Sequence, residues 1–181
     1  MSWLKKIFGR TTSNASAKNT SATAPYSPNN AIDVSPFSAE KAYRIFSPRS
    51  SQEIARWAKE FPEFREIVGY SFLGHFFLRN PDSQEYIVLH PFKGAAKSYR
   101  VHASVEDFEK NVLNEQGFSL YVLRPDHVAE IHLLLGELEE DEIYIPEPYP
   151  FLGGTQAPET YSKGNVWLFM DIVGQMGGLE D

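Results

Sequence analysis

The chain has 181 residues, 42% hydrophobic and 14% aromatic, with no cysteine and a formal net charge of −7 at neutral pH. That length is enough to bury an ordinary single core. The lack of cysteine excludes a disulfide framework and thiolate catalysis, and the acidic balance disfavours nucleic acid, whose phosphates it would repel.

The charge is unevenly spread. Residues 1–30 hold Lys5, Lys6, Arg10 and Lys18 and no acid, which leaves the remainder at −11. The opening residues Met1–Arg10 lack the apolar run and cleavage site of a signal peptide, and no segment is long enough to span a bilayer. A cytoplasmic location is the simplest expectation. Trp3, Leu4, Ile7 and Phe8, interleaved with Lys5, Lys6 and Arg10, suit weak contact with an anionic membrane surface, so a peripheral place at the inner membrane belongs to the same expectation. From Thr11 to about Ser35 the chain is rich in Ser, Thr, Asn, Ala and Pro without apolar periodicity, the pattern of a flexible linker. The expected division is therefore a flexible basic tail over 1–35 and one α+β domain over 36–181.

In chain order, Ser38 is placed to cap a short helix through Phe46 that Ser47-Pro48 stops. Ser50 and Glu53 have the spacing of a capping box, ahead of a helix whose Ile54, Trp57, Ala58 and Phe61 recur at three and four, with Pro62 at its end. Phe76–Arg79 and Glu85–His90 read as strands flanking the turn Asn80-Pro81-Asp82-Ser83. Pro91–Gly94 turns the chain again into Ser98–His102, which alternates polar and apolar. These strands predict an antiparallel meander packed by several helices. Ser104, with Asp107 three residues on, opens a helix that buries Val105, Phe108 and Val112. Pro125-Asp126 opens another that buries Val128, Ile131, Leu135 and Leu138. Ile143–Ile145 is a short strand, a Pro-rich loop follows, and Asn165–Met176 fits a helix, with a buried strand as the other solution.

No signature of catalysis emerges. The chain lacks a G-x-S-x-G elbow, a phosphate-binding loop and G-x-G-x-x-G, so no catalytic residue is expected. His127 and His132 are five apart and fall on different helix faces, whereas a metal-binding pair needs three or four. His90 and His102 are placed to face each other across neighbouring strands, more as polar-face residues than as ligands. His75 reads as structural, and no metal or cofactor is expected. Gly153-Gly154 is best explained as a turn with close backbone approach.

The most informative segment is acidic. Between Pro125 and Ser162 stand nine carboxylates (Asp126, Glu130, Glu137, Glu139, Glu140, Asp141, Glu142, Glu147, Glu159) and no Lys or Arg. Like charges following a helix C-terminus oppose its dipole, and a cationic partner would relieve them. The candidate contact residues are Glu137, Glu139, Glu140, Asp141 and Glu142, with Tyr144 and Tyr149 as apolar anchors. This points to a binding protein for a basic partner rather than an enzyme. A membrane-surface adaptor that recruits a basic client is the alternative.

Two stretches carry a family resemblance. Gly69-Tyr70-Ser71-Phe72-Leu73-Gly74-His75-Phe76-Phe77-Leu78, followed by Tyr86-Ile87-Val88-Leu89, resembles the opening of the C-terminal domain of bacterial immunity proteins that guard against type VI secretion DNase toxins. Ile143-Tyr144-Ile145-Pro146, Pro150-Phe151-Leu152-Gly153-Gly154, Glu159 and a hydrophobic close ending at Gln175 are similar to the same domain's tail. The resemblance spans roughly residues 50–178. It implies inhibition by binding: an immunity protein that covers the electropositive active-site cleft of a cognate antibacterial toxin, of DNase or ADP-ribosyltransferase type. Longer relatives carry an upstream domain, for which residues 36–62 are too few.

Overall fold

The computed structural model describes residues 42–180. The tail, the proposed membrane contacts Trp3, Leu4, Ile7 and Phe8, and the Ser38 cap lie outside the described residues.

Five strands run in sequence as an antiparallel meander: β1 (Tyr43–Ser50), β2 (Glu66–Ser71), β3 (Phe76–Arg79), β4 (Glu85–His90) and β5 (Ala95–Val101). Side chains alternate between the two faces of a strand. Val68, Phe77, Tyr86 and Val88 accordingly enter one core, while Ile67, Tyr70, Phe76, Leu78, Ile87 and Leu89 enter another on the opposite face. Both faces are covered, so β3 and β4 are apolar almost throughout rather than alternating polar and apolar. The two outer strands reach solvent: β1 exposes Ser47, Pro48 and Ser50, and β5 exposes Lys97, Ser98, Arg100 and Val101. Charged residues on an edge strand discourage pairing with other chains.

The first face is covered by α2 (Val105–Phe108), α3 (Gln116–Phe118) and α4 (Pro125–Leu135). A π-helical turn follows each of α2 and α3, over Glu109–Leu113 and Ser119–Leu123. Ser104 Oγ accepts the backbone N–H of Asp107, the expected cap, and Phe108 stacks on Tyr86 with ring centroids 4.5 Å apart. The opposite face is covered by α1 (Ala55–Glu60) and α5 (Val166–Met176), which are tied together by Trp57 Nε1 donating to the Met170 carbonyl at 2.8 Å. Asn165 Oδ1 caps α5 by accepting from Trp167 N and Leu168 N, which settles that segment as a helix. A two-stranded antiparallel ribbon, β6 (Glu142–Pro146) with β7 (Tyr161–Asn165), joins α4 to α5.

Expectation and structure part at several places; α4, for one, ends at Leu135 and leaves Leu138 in the loop after it. Residues 43–46 form part of β1 instead of ending a helix. Tyr43 and Ile45 pack on the first core and Phe46 on the second, and the irregularity at Phe46-Ser47-Pro48 is a bulge, which an edge strand tolerates. Glu53 makes an ion pair with Arg49 rather than closing a capping box, while Ser50 Oγ accepts from Gln52 N. Strand β2 was not anticipated because Gly69 interrupts it. A Cβ there would lie 2.3 Å from the Arg44 carbonyl oxygen, so the close approach of β1 requires glycine.

Candidate functional site

Helix α4 ends at Leu135, and Gly136 (φ +76°) turns the chain out of it. The acidic run is thus a loop between α4 and β6, braced from inside. Arg44 on β1 donates to the carbonyls of Leu138 (2.9 Å) and Glu139 (2.8 Å). Lys163 on β7 donates to the Glu137 carbonyl at 2.8 Å. Arg49 lies over the Trp167 ring, 4.1 Å from its centroid, and reaches Asp141 Oδ1 at 3.4 Å. Glu142 Oε2 accepts from Glu139 N at 2.9 Å.

Cations absent from the neighbouring sequence are therefore supplied by the fold. They act mainly on the loop's carbonyls, and they partly offset its charge. The five candidate carboxylates divide accordingly. Glu137, Glu139 and Glu140 are exposed, whereas Asp141 and Glu142 are partly buried and engaged internally. The two candidate aromatics divide as well. Tyr144 is 1% exposed, and its hydroxyl donates to the Gly136 carbonyl at 2.7 Å beside His132 Nδ1 at 3.2 Å. Burial, with Glu137 and Glu142 nearby, pushes its phenol up to about 12. Tyr144 is thus a core post under the loop, which corrects its reading as an outward anchor. Tyr149 is partly buried in an aromatic cluster with Phe92, Phe151 and Phe169.

Residues that the sequence reading missed extend the acidic loop along α4. At 100° per residue, Val128 and Ile131 define the buried direction and Asp126, Glu130 and Leu133 point the other way. Asp126 and Glu130 are exposed, and Leu133 and Leu134 are 68% and 60% exposed. The helix thus exposes two leucines on the side where it also exposes Asp126 and Glu130. The signal was present in the sequence: Leu133 and Leu134 fall outside the 128, 131, 135, 138 row that the core uses.

A second projection is the loop after β6. Leu152 N and Gly154 N both bond the Tyr149 carbonyl, at 2.8 and 3.2 Å. A Cβ on Gly154 would lie 1.8 Å from the Pro148 carbonyl oxygen. The Gly-Gly turn is thus a close backbone approach, and it holds Phe151 and Leu152 outward, 45% and 59% exposed.

The histidines pair differently from expectation. His90 packs edge-on against His75, ring centroids 4.8 Å apart, not against His102. His102 contacts Tyr86 and Phe108, because the irregular register of β4 and β5 carries it toward α2. Ser71 Oγ accepts the His75 backbone N–H at 3.0 Å and sits 2.9 Å from His75 Nδ1. Ser71 is fully buried, which keeps that hydroxyl from any substrate. Burial, the neighbouring imidazole, Lys93 and Arg124 push His75 down to about 3; burial, Lys93 and Lys97 push His90 down to about 4. Among the described residues no group of acidic or histidine side chains is arranged to hold a metal ion, and no helix is long and apolar enough to cross a membrane.

Residues 102–177 match the family described as "T6SS immunity protein Tdi1, C-terminal". The match supports an immunity protein-like domain over these residues and an immunity role. The matched stretch holds α4, the acidic loop, the Phe151 turn and α5, while the Gly69–Leu78 stretch lies upstream of it. No curated protein sequence matches the chain. Among solved structures, the fold is similar to "Crystal structure of Atu4351 from Agrobacterium tumefaciens", with TM-score 0.51 and 15% identity over 74% of this chain and 66% of that one. This chain spans just under two thirds of that protein's length.

Proposed function

From an immunity protein-like domain over residues 102–177, we propose that the protein binds and neutralises a cognate antibacterial toxin through the outward face of α4 and the acidic loop that follows. The observation that carries the proposal is the exposure of acidic and apolar side chains along α4 and the loop after it. Asp126 and Glu130 lead through Leu133 and Leu134 to Glu137, Glu139 and Glu140, all exposed. Leucines exposed to this degree are a cost that burial against a partner would reverse, at roughly 1.5–3 kcal/mol per fully covered side chain. The carboxylates around them favour a basic partner, speed encounter and set register.

Asp141, Glu142 and Tyr144 serve this face from behind by holding the loop. Tyr149 supports the Phe151-Leu152 projection. A cleft that binds DNA or NAD is electropositive because its ligand is anionic, so an acidic inhibitor suits a DNase or an ADP-ribosyltransferase equally. The inhibitor needs no chemistry of its own under this reading. Co-expression with the cognate toxin should restore growth, and the triple reversal E137K/E139K/E140K should abolish rescue while leaving the melting transition in place. Rescue undiminished by the triple reversal would remove the acidic loop from the interface.

A further inference from the structure

Four aromatic rings meet where the Pro91–Lys93 turn, the loop after β6 and α5 come together. Phe169 is 2% exposed and is the floor: the centroids of Phe92 and Tyr149 stand 5.3 and 6.2 Å from its own, both rings edge-on to it. With Phe151 these two form a near-equilateral triangle, centroids 5.4, 5.9 and 5.5 Å apart and planes inclined at 51°, 60° and 63°. The triangle reaches solvent, since Phe151 is 45% exposed and Phe92 and Tyr149 are half-buried. The turn that closes on the Tyr149 carbonyl through Leu152 N and Gly154 N fixes Phe151 in place, so the arrangement exists before any partner arrives.

The electrostatics of this corner select a cation. The face of an aromatic ring is the negative part of its quadrupole. Glu147 lies close enough to Tyr149 that, after burial, its carboxylate pushes the phenol up. That carboxylate is exposed and held in position, because Ser162 Oγ donates to its Oε1 at 2.9 Å. Among the described residues the cations placed over rings sit elsewhere: Arg44 on Phe72, Arg49 on Phe46 and Trp167, Lys97 on Tyr99. We propose that Phe92, Tyr149 and Phe151 form a subsite for one arginine side chain of the toxin, with Glu147 as its counter-charge. Arginine suits it better than lysine, because the planar, weakly hydrated guanidinium stacks on ring faces; Arg49 does so within this chain, 4.1 Å from the Trp167 centroid. The proposal deepens the toxin-binding reading and rests on it for the identity of the partner. The acidic loop attracts a basic surface, and the aromatic corner takes one residue of it.

The test uses the full chain without toxin, so its failure leaves the proposal about the toxin intact. The probe is acetyl-arginine amide, added to protein carrying 13C-labelled phenylalanine and tyrosine rings. The ring signals of Phe92, Tyr149 and Phe151 should shift together, and saturating them should pass to the δ-methylene protons of the probe. Acetyl-citrulline amide, the neutral analogue of the same shape, should give at most about a third of that response. So should the F151L variant, which keeps an apolar side chain and loses the ring face, while E147Q should weaken the response about twofold. No shift, an equal response to the citrulline probe, or a response undiminished in F151L would each overturn the proposal. So would shifts centred on residues 137–142 with the three rings unmoved, which would make the carboxylates alone the arginine site.

Discussion

Acidification should unfold this protein through two imidazoles. His75 and His90 touch edge to face, and no carboxylate is among the groups acting on them: Lys93, Lys97, Arg124 and each other surround the pair. Both folded values, about 3 and about 4, lie below the ordinary value near 6.5. The sign follows. Well above pH 6.5 both rings are neutral whether folded or unfolded, and the full stability is present. As pH falls from 6.5 toward 4, the unfolded chain takes up two protons that the folded one refuses, so stability is lost. Linkage sets the slope at up to about 2.7 kcal/mol per pH unit for two protons. Against a typical total of roughly 5–15 kcal/mol, a fall from pH 6 to 4.5 removes a large share. Urea melts at pH 7, 5.5 and 4.5 measure this directly, and H75Q/H90Q should flatten the dependence. Should the double variant prove too unstable at pH 7, H90Q alone should remove about half the slope. Stability that stays level from pH 7 to 5, or a slope unchanged in the variants, refutes the reasoning.

Removing Arg44 should loosen the acidic loop, since the R44A variant loses both bonds to Leu138 and Glu139; being partly exposed they are worth about 1 kcal/mol, and hydrogen exchange of residues 137–142 should accelerate while the sheet stays protected. Y144F removes the donor to Gly136 O and should cost about 1 kcal/mol in denaturant melts, and it should weaken toxin binding less than the E137K/E139K/E140K variant does. In G154A the new methyl meets the Pro148 carbonyl, so the Phe151 turn must rearrange at a cost on the order of 2–3 kcal/mol; calorimetry and the Phe151 ring signals would report it.

The β3–β4 hairpin with its turn at Asn80–Ser83, the strand after it and the cap at Ser104 could be read from the sequence because each is local. A capping serine, a Pro-Asp turn or a three-four apolar row shows itself within a few residues. Strands β1, β2 and β7 were not legible, because their pairing is set by partners far away and their patterns are broken by Pro48, Gly69 and Gly164. The candidate site divides on the same principle. The carboxylates were visible as a run, but their braces Arg44, Arg49 and Lys163 come from other strands and show no signal next to that run. Tyr144 looked like an anchor because aromatic residues beside acids suggest an interface. Its burial is fixed by the β6–β7 ribbon and by the hydroxyl's bond to Gly136 O. Leu133 and Leu134 could have been found by projecting α4 onto a wheel and asking which leucines the core leaves over.

The most direct measurement is the association rate of the purified protein with its toxin across ionic strength, for the native sequence and for E137K/E139K/E140K. Steering by an exposed acidic face predicts that the native rate falls at least about tenfold between low and high salt. It also predicts that the charge-reversed protein associates slowly at low salt. A native rate indifferent to salt, or a charge-reversed protein that associates as fast as the native one, would contradict the claim that this face meets the toxin.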